Sequence, residues 1–401
     1  MHPTAKDALP LSELRILDLS TVVMGPYASQ MLADLGADVV KLEAPVGDQT
    51  RYYRPQRSTD MSGLFLTLHR NKRSICLDLK STADRQIFLQ LASQFDVVLH
   101  NFRPEVAKRL GADYETLKSV NEKIILCTAF GFGSNGPDSA QPAYDDVIQA
   151  RSGLSGLFNR VQGRPAYVPS MICDKVVGQM IVIGILCAYA QRSSKGHGSQ
   201  VEVPMFESMV AFNLAENLAN ATFTPELGKM GWARNVSPMR KPFQTSDGYV
   251  CLLPYSDKNW LEFLTLAKRP EVLRDEKFST LASRALNIDE LYLIVEAFAL
   301  TRTSQELLDF CLQNNIPASP VNDLEDLWND PHLQAAEMFH ETTHPTEGAY
   351  KYCRSPFRFD GVTPQVYRHA PGLGEHTAEI LREISAGPGN IHHLKKAANH
   401  E

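Results

Sequence analysis

The sequence has little of what stabilises small secreted or metal-built folds. Its seven cysteines, Cys76, Cys127, Cys173, Cys187, Cys251, Cys311 and Cys353, are scattered, odd in number and never arranged as C-x-x-C. That pattern argues against a disulfide framework and predicts reduced core thiols. His392 and His393 are adjacent in a polar tail, without the i, i+4 or paired-cysteine geometry of a zinc site, so no metal is expected. There is no basic excess either. A formal charge of -6 gives no global field for a polyanion, and no nucleic-acid partner is expected. The opening MHPTAKDALPLSELR lacks the charged-then-apolar order of a signal peptide. The longest apolar run, Met180 to Ala190, is short for a bilayer span, so a cytoplasmic protein without membrane contact is expected.

What is present is ordinary for a globular chain: 43% hydrophobic and 21% charged residues over 401 positions. At roughly 150 residues per domain, that length predicts two or three units. The first half alternates strand and helix signals. LRILDLS is followed by a helical run from Gly25 to Leu35 stopped by Gly36, then by ADVVKLEA with period-two apolar spacing. SICLDLK, a helix opened by Ser81 with Asp84 as its capping pair, DVVLHNF, a helix ending at Gly111 and KIILCTAF continue the series. The repetition predicts an α/β fold with a doubly wound, largely parallel, Rossmann-like sheet.

From Asp174 to Arg192 the pattern predicts one long helix, nearly uncharged in its middle, and GSQVEVPMFESM then reads as a strand entering another helix. Beyond Thr222 the chain is turn-rich and aromatic before further strand and helix signals to about Leu312. The expected division is a large domain over 1–221, a smaller α+β domain with its linkers over 222–330, and a segment over 331–401 that returns to the large domain. A terminal helix is expected from His376 to Ile384.

GFGSNG, with Gly131, Gly133 and Gly136, matches the dinucleotide-binding G-x-G-x-x-G and follows a predicted strand. The fingerprint requires a helix to start at the last glycine, yet Pro137, Asp138, Ser139 and Pro142 follow. The segment is therefore read as a glycine-rich loop bordering the crevice at the strand ends, where the backbone lets a substrate approach closely.

Several segments in order, LRILDLSTVVMGPYASQMLADLGADVVKLEAPVGDQTR, NKRSICLDLK, HNFRPEVAKRLG, AFGFGSNGP, SKGHGSQVEVPMFESM, NIPASPVNDLEDLWNDPHL and APGLGEHTAEIL, resemble the class III CoA-transferase family, which includes formyl-CoA transferase and carnitine and bile-acid CoA-transferases. The resemblance covers nearly the whole chain. An aspartate at the opening of the long helix before K-G-x-G-x-Q is the family nucleophile, which places that role on Asp174. By position alone an aspartate there is more often a helix cap. A helix N-terminus also favours its ionised form, the attacking species.

The resemblance implies transfer of coenzyme A from an acyl-CoA to a carboxylic acid through an aspartyl mixed anhydride and an aspartyl-CoA thioester on Asp174. No cofactor beyond CoA as substrate is implied. It places CoA contacts at Val22, Val23, Met24, Leu77, Lys80, Asn101, Phe102, Arg103, Arg109 and Leu110. Lys80, Arg103 and Arg109 suit phosphates, and the apolar members suit adenine or the pantetheine arm. Tyr144 falls where the transferases carry a tyrosine near the thioester, and Met205 matches a site methionine. Asp145 and Gln149 are weaker candidates.

Two departures remove positive charge: Ala44 and Pro142 stand where formyl-CoA transferase has an arginine and a lysine. Arg51, Arg70 or Lys72 are candidates to take over the nucleotide. The tetraglycine loop of formyl-CoA transferase is also absent. An α-methylacyl-CoA racemase is the alternative within the fold, but its histidine base would fall at Tyr144, and a phenol is a poor base near neutral pH. The family implies an interlocked homodimer. A dicarboxylic or hydroxy acid is the expected acceptor, with Arg240 and Lys241 in MRKPF as candidates for a second carboxylate.

Overall fold

A computed structural model describes residues 9–386; His392 and His393 lie outside them. In chain order the elements are β1 (Arg15–Asp18), α1 (Met24–Asp34), β2 (Asp38–Glu43), α2 (Gly63–His69), β3 (Lys72–Cys76), α3 (Thr82–Ala92), β4 (Val97–His100), α4 (Pro104–Leu110), α5 (Tyr114–Val120), β5 (Ile125–Thr128), α6 (Asp145–Arg151), α7 (Leu154–Gln162), α8 (Ile172–Lys195), β6 (Gln200–Glu202) and α9 (Met205–Asn217). They continue as β7 (Phe243–Gln244), β8 (Tyr249–Leu252), α10 (Asp257–Leu266), α11 (Leu281–Leu286), α12 (Ile288–Ala299), α13 (Ser304–Gln313), β9 (Ala318–Pro320), α14 (Pro331–Ala335), β10 (Phe339–His344), β11 (Gly348–Cys353) and α15 (Thr377–Ala386).

The first six strands form one parallel sheet in the order β3-β2-β1-β4-β5-β6. After β1 the chain winds outward to β3, then returns to β4 on the other side of β1. The loops leaving β1 and β4 therefore part at a switch point, the place where open α/β sheets bind ligands.

The strands β1 to β5 are buried along nearly their whole length, as parallel sheets usually are, while the edge strand β6 is largely exposed. β2 shows the consequence: Asp38, Lys41 and Glu43 are all buried despite their charge. Each has a partner, Asp38 with Arg73 at 2.8 Å, Lys41 with Asp48 at 3.2 Å and Glu43 with Arg51 at 2.7 Å. A buried charge is tolerable only when paired and hydrogen-bonded.

The chain forms two compact units, where two cuts were expected. Among the described residues, the first contains 9–149, 169–210 and 335–386; the second contains 150–168 and 211–334. Residues 150–168 and 211–221, expected in the large domain, belong to the second unit. In the first unit Ile380 of α15 joins the core of Leu17, Val40, Ile75, Phe88 and Val98. Arg73 adds ion pairs to Glu379 and Glu383 on the same helix, at 2.8 and 2.9 Å. The second unit packs α10, α12 and α13 on the antiparallel sheet β7-β8-β9 around Phe243, Trp260, Phe263 and Val295.

One expectation about the long helix changes. It begins at Ile172 rather than Asp174 and runs for 24 residues. By length and composition alone it is long and apolar enough to cross a membrane, a condition that the core helix of a globular protein meets as well. Cys173, Val177, Gly178, Ile181, Ile185 and Ala188 form its buried face. Gly178 is placed against α1 so closely that a Cβ there would lie 3.0 Å from the Met24 carbonyl oxygen.

Candidate active site

A cavity of about 260 Å³ opens at the carboxyl edge of the parallel sheet, within the first unit. Thr21, Val22, Val23 and Met24 line it from the loop after β1, and Asn101, Phe102 and Arg103 from the loop after β4. Ala129, Phe130 and Gly131 follow β5, and the same long loop returns with Ser139 and Gln141–Tyr144. Asp174 enters from the first turn of α8 and Met205 from the start of α9.

Asp174 is the third helical residue of α8, and Met171 precedes the helix without a side-chain cap. The capping role belongs to Asp145 of α6, whose Oδ1 accepts from the amides of Cys173 at 2.7 Å and Asp174 at 3.1 Å. A carboxylate reaching these amides from another element satisfies donors that a helix start leaves open. The Asp174 carboxyl is thereby free of capping duty and available to the cavity.

Its acidity also differs from expectation. Burial, reinforced by the nearby negative charge of Asp145, pushes the Asp174 carboxyl up from its ordinary 3.8 to about 7. The helix N-terminus favours the anion, but desolvation outweighs it. A carboxylate poised near neutrality is a stronger base and nucleophile than a solvated one, and such perturbed groups cluster at functional sites. Any reaction that uses the Asp174 carboxylate as base or nucleophile should therefore speed up as pH rises through about 7. Asp145→Asn keeps an acceptor for both amides while removing the charge, and should move that midpoint to lower pH. An unchanged pH–rate profile would assign the shift to burial alone.

Tyr144 is 66% exposed at the cavity edge. Met205 is buried, held by its amide donating to the Phe130 carbonyl at 2.9 Å. His100 sets the turn after β4: its Nδ1 accepts from the Phe102 amide at 3.2 Å, and its ring stacks on Phe102 at 5.0 Å. Burial lowers the imidazole pKa to about 4, so the neutral ring holds these contacts at neutral pH. Asn101, read as a CoA contact, lines the cavity and also clamps Thr21, accepting from its amide at 3.1 Å and donating to its carbonyl at 3.0 Å.

The other expected contacts do not line this cavity. Leu77 is buried in the core, where Leu110 packs against the same cluster. Lys80 and Arg109 are exposed, and Asp145 and Gln149 are buried, with the Gln149 Nε2 donating to Asp145 at 2.7 Å. The substitutes proposed for the missing cations are all committed elsewhere: Arg51 to Glu43, Arg70 to Asp34 at 2.7 Å, and Lys72 to Asp18 at 3.2 Å. All three are buried, so they are unavailable to a nucleotide. In the second unit, Lys241 pairs with Glu296 at 2.6 Å, and Arg240 is exposed.

Thr21, Ala129, Phe130, Ser139, Gln141 and Ala143 line the cavity without having been singled out. They carry no distinctive chemistry, and only the rule that ligands sit beyond strand ends pointed to their loops. The glycine-rich loop is no phosphate cradle. The Gly133 amide donates to Glu207 at 2.9 Å and the Ser134 amide to Glu202 at 2.7 Å, so carboxylates of the chain already take the donors a phosphate would need. Gly131 permits close approach: a Cβ there would meet the Ala143 Cβ at 2.4 Å. Gly131→Ala should displace the Ala143–Tyr144 segment, costing about 1–3 kcal/mol in denaturant unfolding. It should also lower turnover about ten-fold, by the sensitivity of rate to placement; native-like turnover would show that the segment yields freely.

A family model described as CoA-transferase family III matches residues 11–377. The chain is 32% identical to a succinyl-CoA:mesaconate CoA-transferase of Haloarcula hispanica, over 94% of this chain and 97% of that protein. It is 32% identical to a formyl-CoA:oxalate CoA-transferase of Streptomyces coelicolor, over 97% and 99%. A crystal structure of a CAIB/BAIF family protein from Brucella suis superposes with a TM-score of 0.77 at 30% identity, covering 94% of this chain and 99% of that one. With a matching family model over most of its length and relatives aligned almost end to end, the chain belongs to CoA-transferase family III and is a CoA-transferase acting on carboxylic acids.

Proposed function

We propose that this enzyme moves coenzyme A from an acyl-CoA donor to a dicarboxylic or hydroxy acid by covalent catalysis on Asp174. The observation that carries the reading is the Asp174 carboxyl itself, relieved of capping by Asp145, held near neutrality by burial, and lining the cavity at the sheet's switch point.

In the proposed sequence an Asp174 oxygen attacks the thioester carbon, the C–S bond breaks, and CoA leaves as thiolate from a mixed anhydride. The thiolate then attacks the Asp174 carbonyl carbon, breaking the C–O bond and releasing the donor carboxylate. The acceptor carboxylate attacks the resulting aspartyl thioester, and the expelled thiolate takes the acceptor's acyl carbon, restoring Asp174. No electron is transferred, so the sequence calls for no redox cofactor. The anhydride lies uphill of the thioester, so CoA contacts remote from the reacting carbon must help to hold it in place. Arg103 at the cavity rim suits the CoA phosphates, and the Tyr144 hydroxyl suits the reacting carbonyl.

Mesaconate and oxalate, the acids written after the acyl-CoA in two relatives' names, each carry two carboxylates, which supports a dicarboxylic acceptor; the acyl groups named before them, succinyl and formyl, differ in this respect. The racemase alternative gains nothing from the cavity, since no histidine is among its described lining residues. The reading includes a cytoplasmic homodimer, in which a second copy would cover exposed apolar residues of α8 such as Ile183.

Hydroxylamine added during turnover of succinyl-CoA with a panel of acids should trap an Asp174 hydroxamate, located by peptide mass spectrometry. Turnover without any modified Asp174 would overturn the covalent route. Preference for monocarboxylic acceptors would overturn the substrate class.

A further inference from the structure

Val22 has a backbone φ of 74°, in the left-handed region that a β-branched side chain resists. Such an outlier persists only where the surroundings impose it. Here the surroundings can be named. Asn101 brackets the preceding residue by its reciprocal pair of hydrogen bonds to Thr21. The Val22 amide itself donates to the Asp48 carboxylate, both of whose oxygens lie 3.3 Å away.

Asp48 is itself held on every side. Its Oδ1 accepts from the Thr50 amide at 2.9 Å and hydroxyl at 2.8 Å, and its own amide donates to Glu43 at 3.0 Å. Its Oδ2 is paired at 3.2 Å with Lys41, which is fully buried and also donates to the Ser20 carbonyl. Three consecutive residues, Ser20, Thr21 and Val22, are thus each tied by a side chain distant in sequence. Gly25 completes the tight passage, since a Cβ there would overlap the Ser20 side chain at 2.2 Å. Neither Asp48 nor Lys41 lines the cavity, whereas Thr21, Val22, Val23 and Met24 form its wall.

We propose that Asp48, anchored by Lys41, is a positioning residue for acyl transfer: it holds Val22 in its left-handed conformation and so fixes the β1–α1 loop against which the thioester lies opposite Asp174. This rests on the acyl-transfer reading of the Asp174 cavity. Val22, Val23 and Met24 offer backbone and apolar contacts there, and backbone contacts are useful only if the backbone stays in place.

The test separates this role from mere stability. A buried ion pair replaced by apolar residues of similar size often leaves stability unchanged. Lys41→Met with Asp48→Leu removes both the pair and the acceptor for Val22; Lys41→Met with Asp48→Asn removes the pair but keeps an acceptor. For variants shown to be folded by melting temperature, the leucine pair should lower kcat about a hundred-fold with little change in the KM for the acyl-CoA, while the asparagine pair stays within about five-fold of native. Adding Val22→Gly, which adopts the left-handed backbone without restraint, should shrink the leucine-pair loss to about five-fold relative to Val22→Gly alone. Should the leucine pair not fold, Asp48→Glu, which keeps the charge but moves the acceptor by a methylene, takes its place in the same comparison.

Equal losses in the leucine and asparagine pairs, or a loss undiminished by Val22→Gly, would overturn the proposal. Asp174→Ala, run alongside, reports separately on the nucleophile, and the Asp48 series decides the positioning of Val22 whatever that variant shows.

Discussion

Asp174→Ala should lower the rate of CoA transfer at least about a thousand-fold while leaving acyl-CoA binding nearly unchanged, because on the proposed route it removes the group that forms both covalent intermediates but no contact to the nucleotide. The pattern distinguishes a nucleophile from a binding residue. Loss of a binding group raises KM, whereas loss of the nucleophile removes turnover from a complex that still forms. Calorimetric titration with an acyl-CoA beside a turnover assay would read both quantities on one preparation. Turnover within ten-fold of native would sink the covalent mechanism. Asp174→Glu should recover little, since the added methylene displaces the attacking oxygen by more than acyl transfer tolerates.

The same carboxyl should make the folded protein less stable as pH rises. In the folded chain Asp174 keeps its proton up to about pH 7, whereas in the unfolded chain it releases it near the ordinary 3.8. Between these limits the unfolded state binds fewer protons, so unfolding becomes progressively easier. The stability present below the unfolded value is lost as pH climbs through the folded one, on the order of 4 kcal/mol for a shift of this size. Asp174→Asn cannot ionise and should escape this loss. Denaturant midpoints should show the variant markedly more stable than the parent at pH 8 and nearly equal to it at pH 4. An identical difference at both values would mean that Asp174 is not held near neutrality. The site is thus expected to trade stability for a poised nucleophile, as strained and desolvated active sites commonly do.

Much of this architecture is legible in local patterns. Short apolar runs marked β1, β4 and β5 and a period-two run β2, Ser81 opened α3, and Gly111 closed α4 at a φ of 74°. Short helices were less visible: α2, α5 and α7 have at most nine residues, too few for periodicity to stand out from loop. Single charges misled most. Arg51, Arg70 and Lys72 look like solvated cations available to a phosphate, yet all three are buried against carboxylates from other elements. Pairing between residues distant in sequence leaves no local signature, because any lysine or arginine looks the same whether its partner is water or a buried aspartate.

Asp174 marks the division most clearly. The order of strands, the apolar helix that carries this aspartate and the motifs around it are local or linear properties, so the sequence by itself determined the fold class, the family and which carboxyl to examine. Its chemical condition is not linear. Asp145 meets the start of α8 only because the fold brings the first residue of α6 to the amides of Cys173 and Asp174, and desolvation depends on what surrounds a group on every side. Tertiary structure alone therefore decided that Asp174 is not a cap, that its proton is held to about pH 7, and that Val22 is fixed in a conformation its own side chain disfavours.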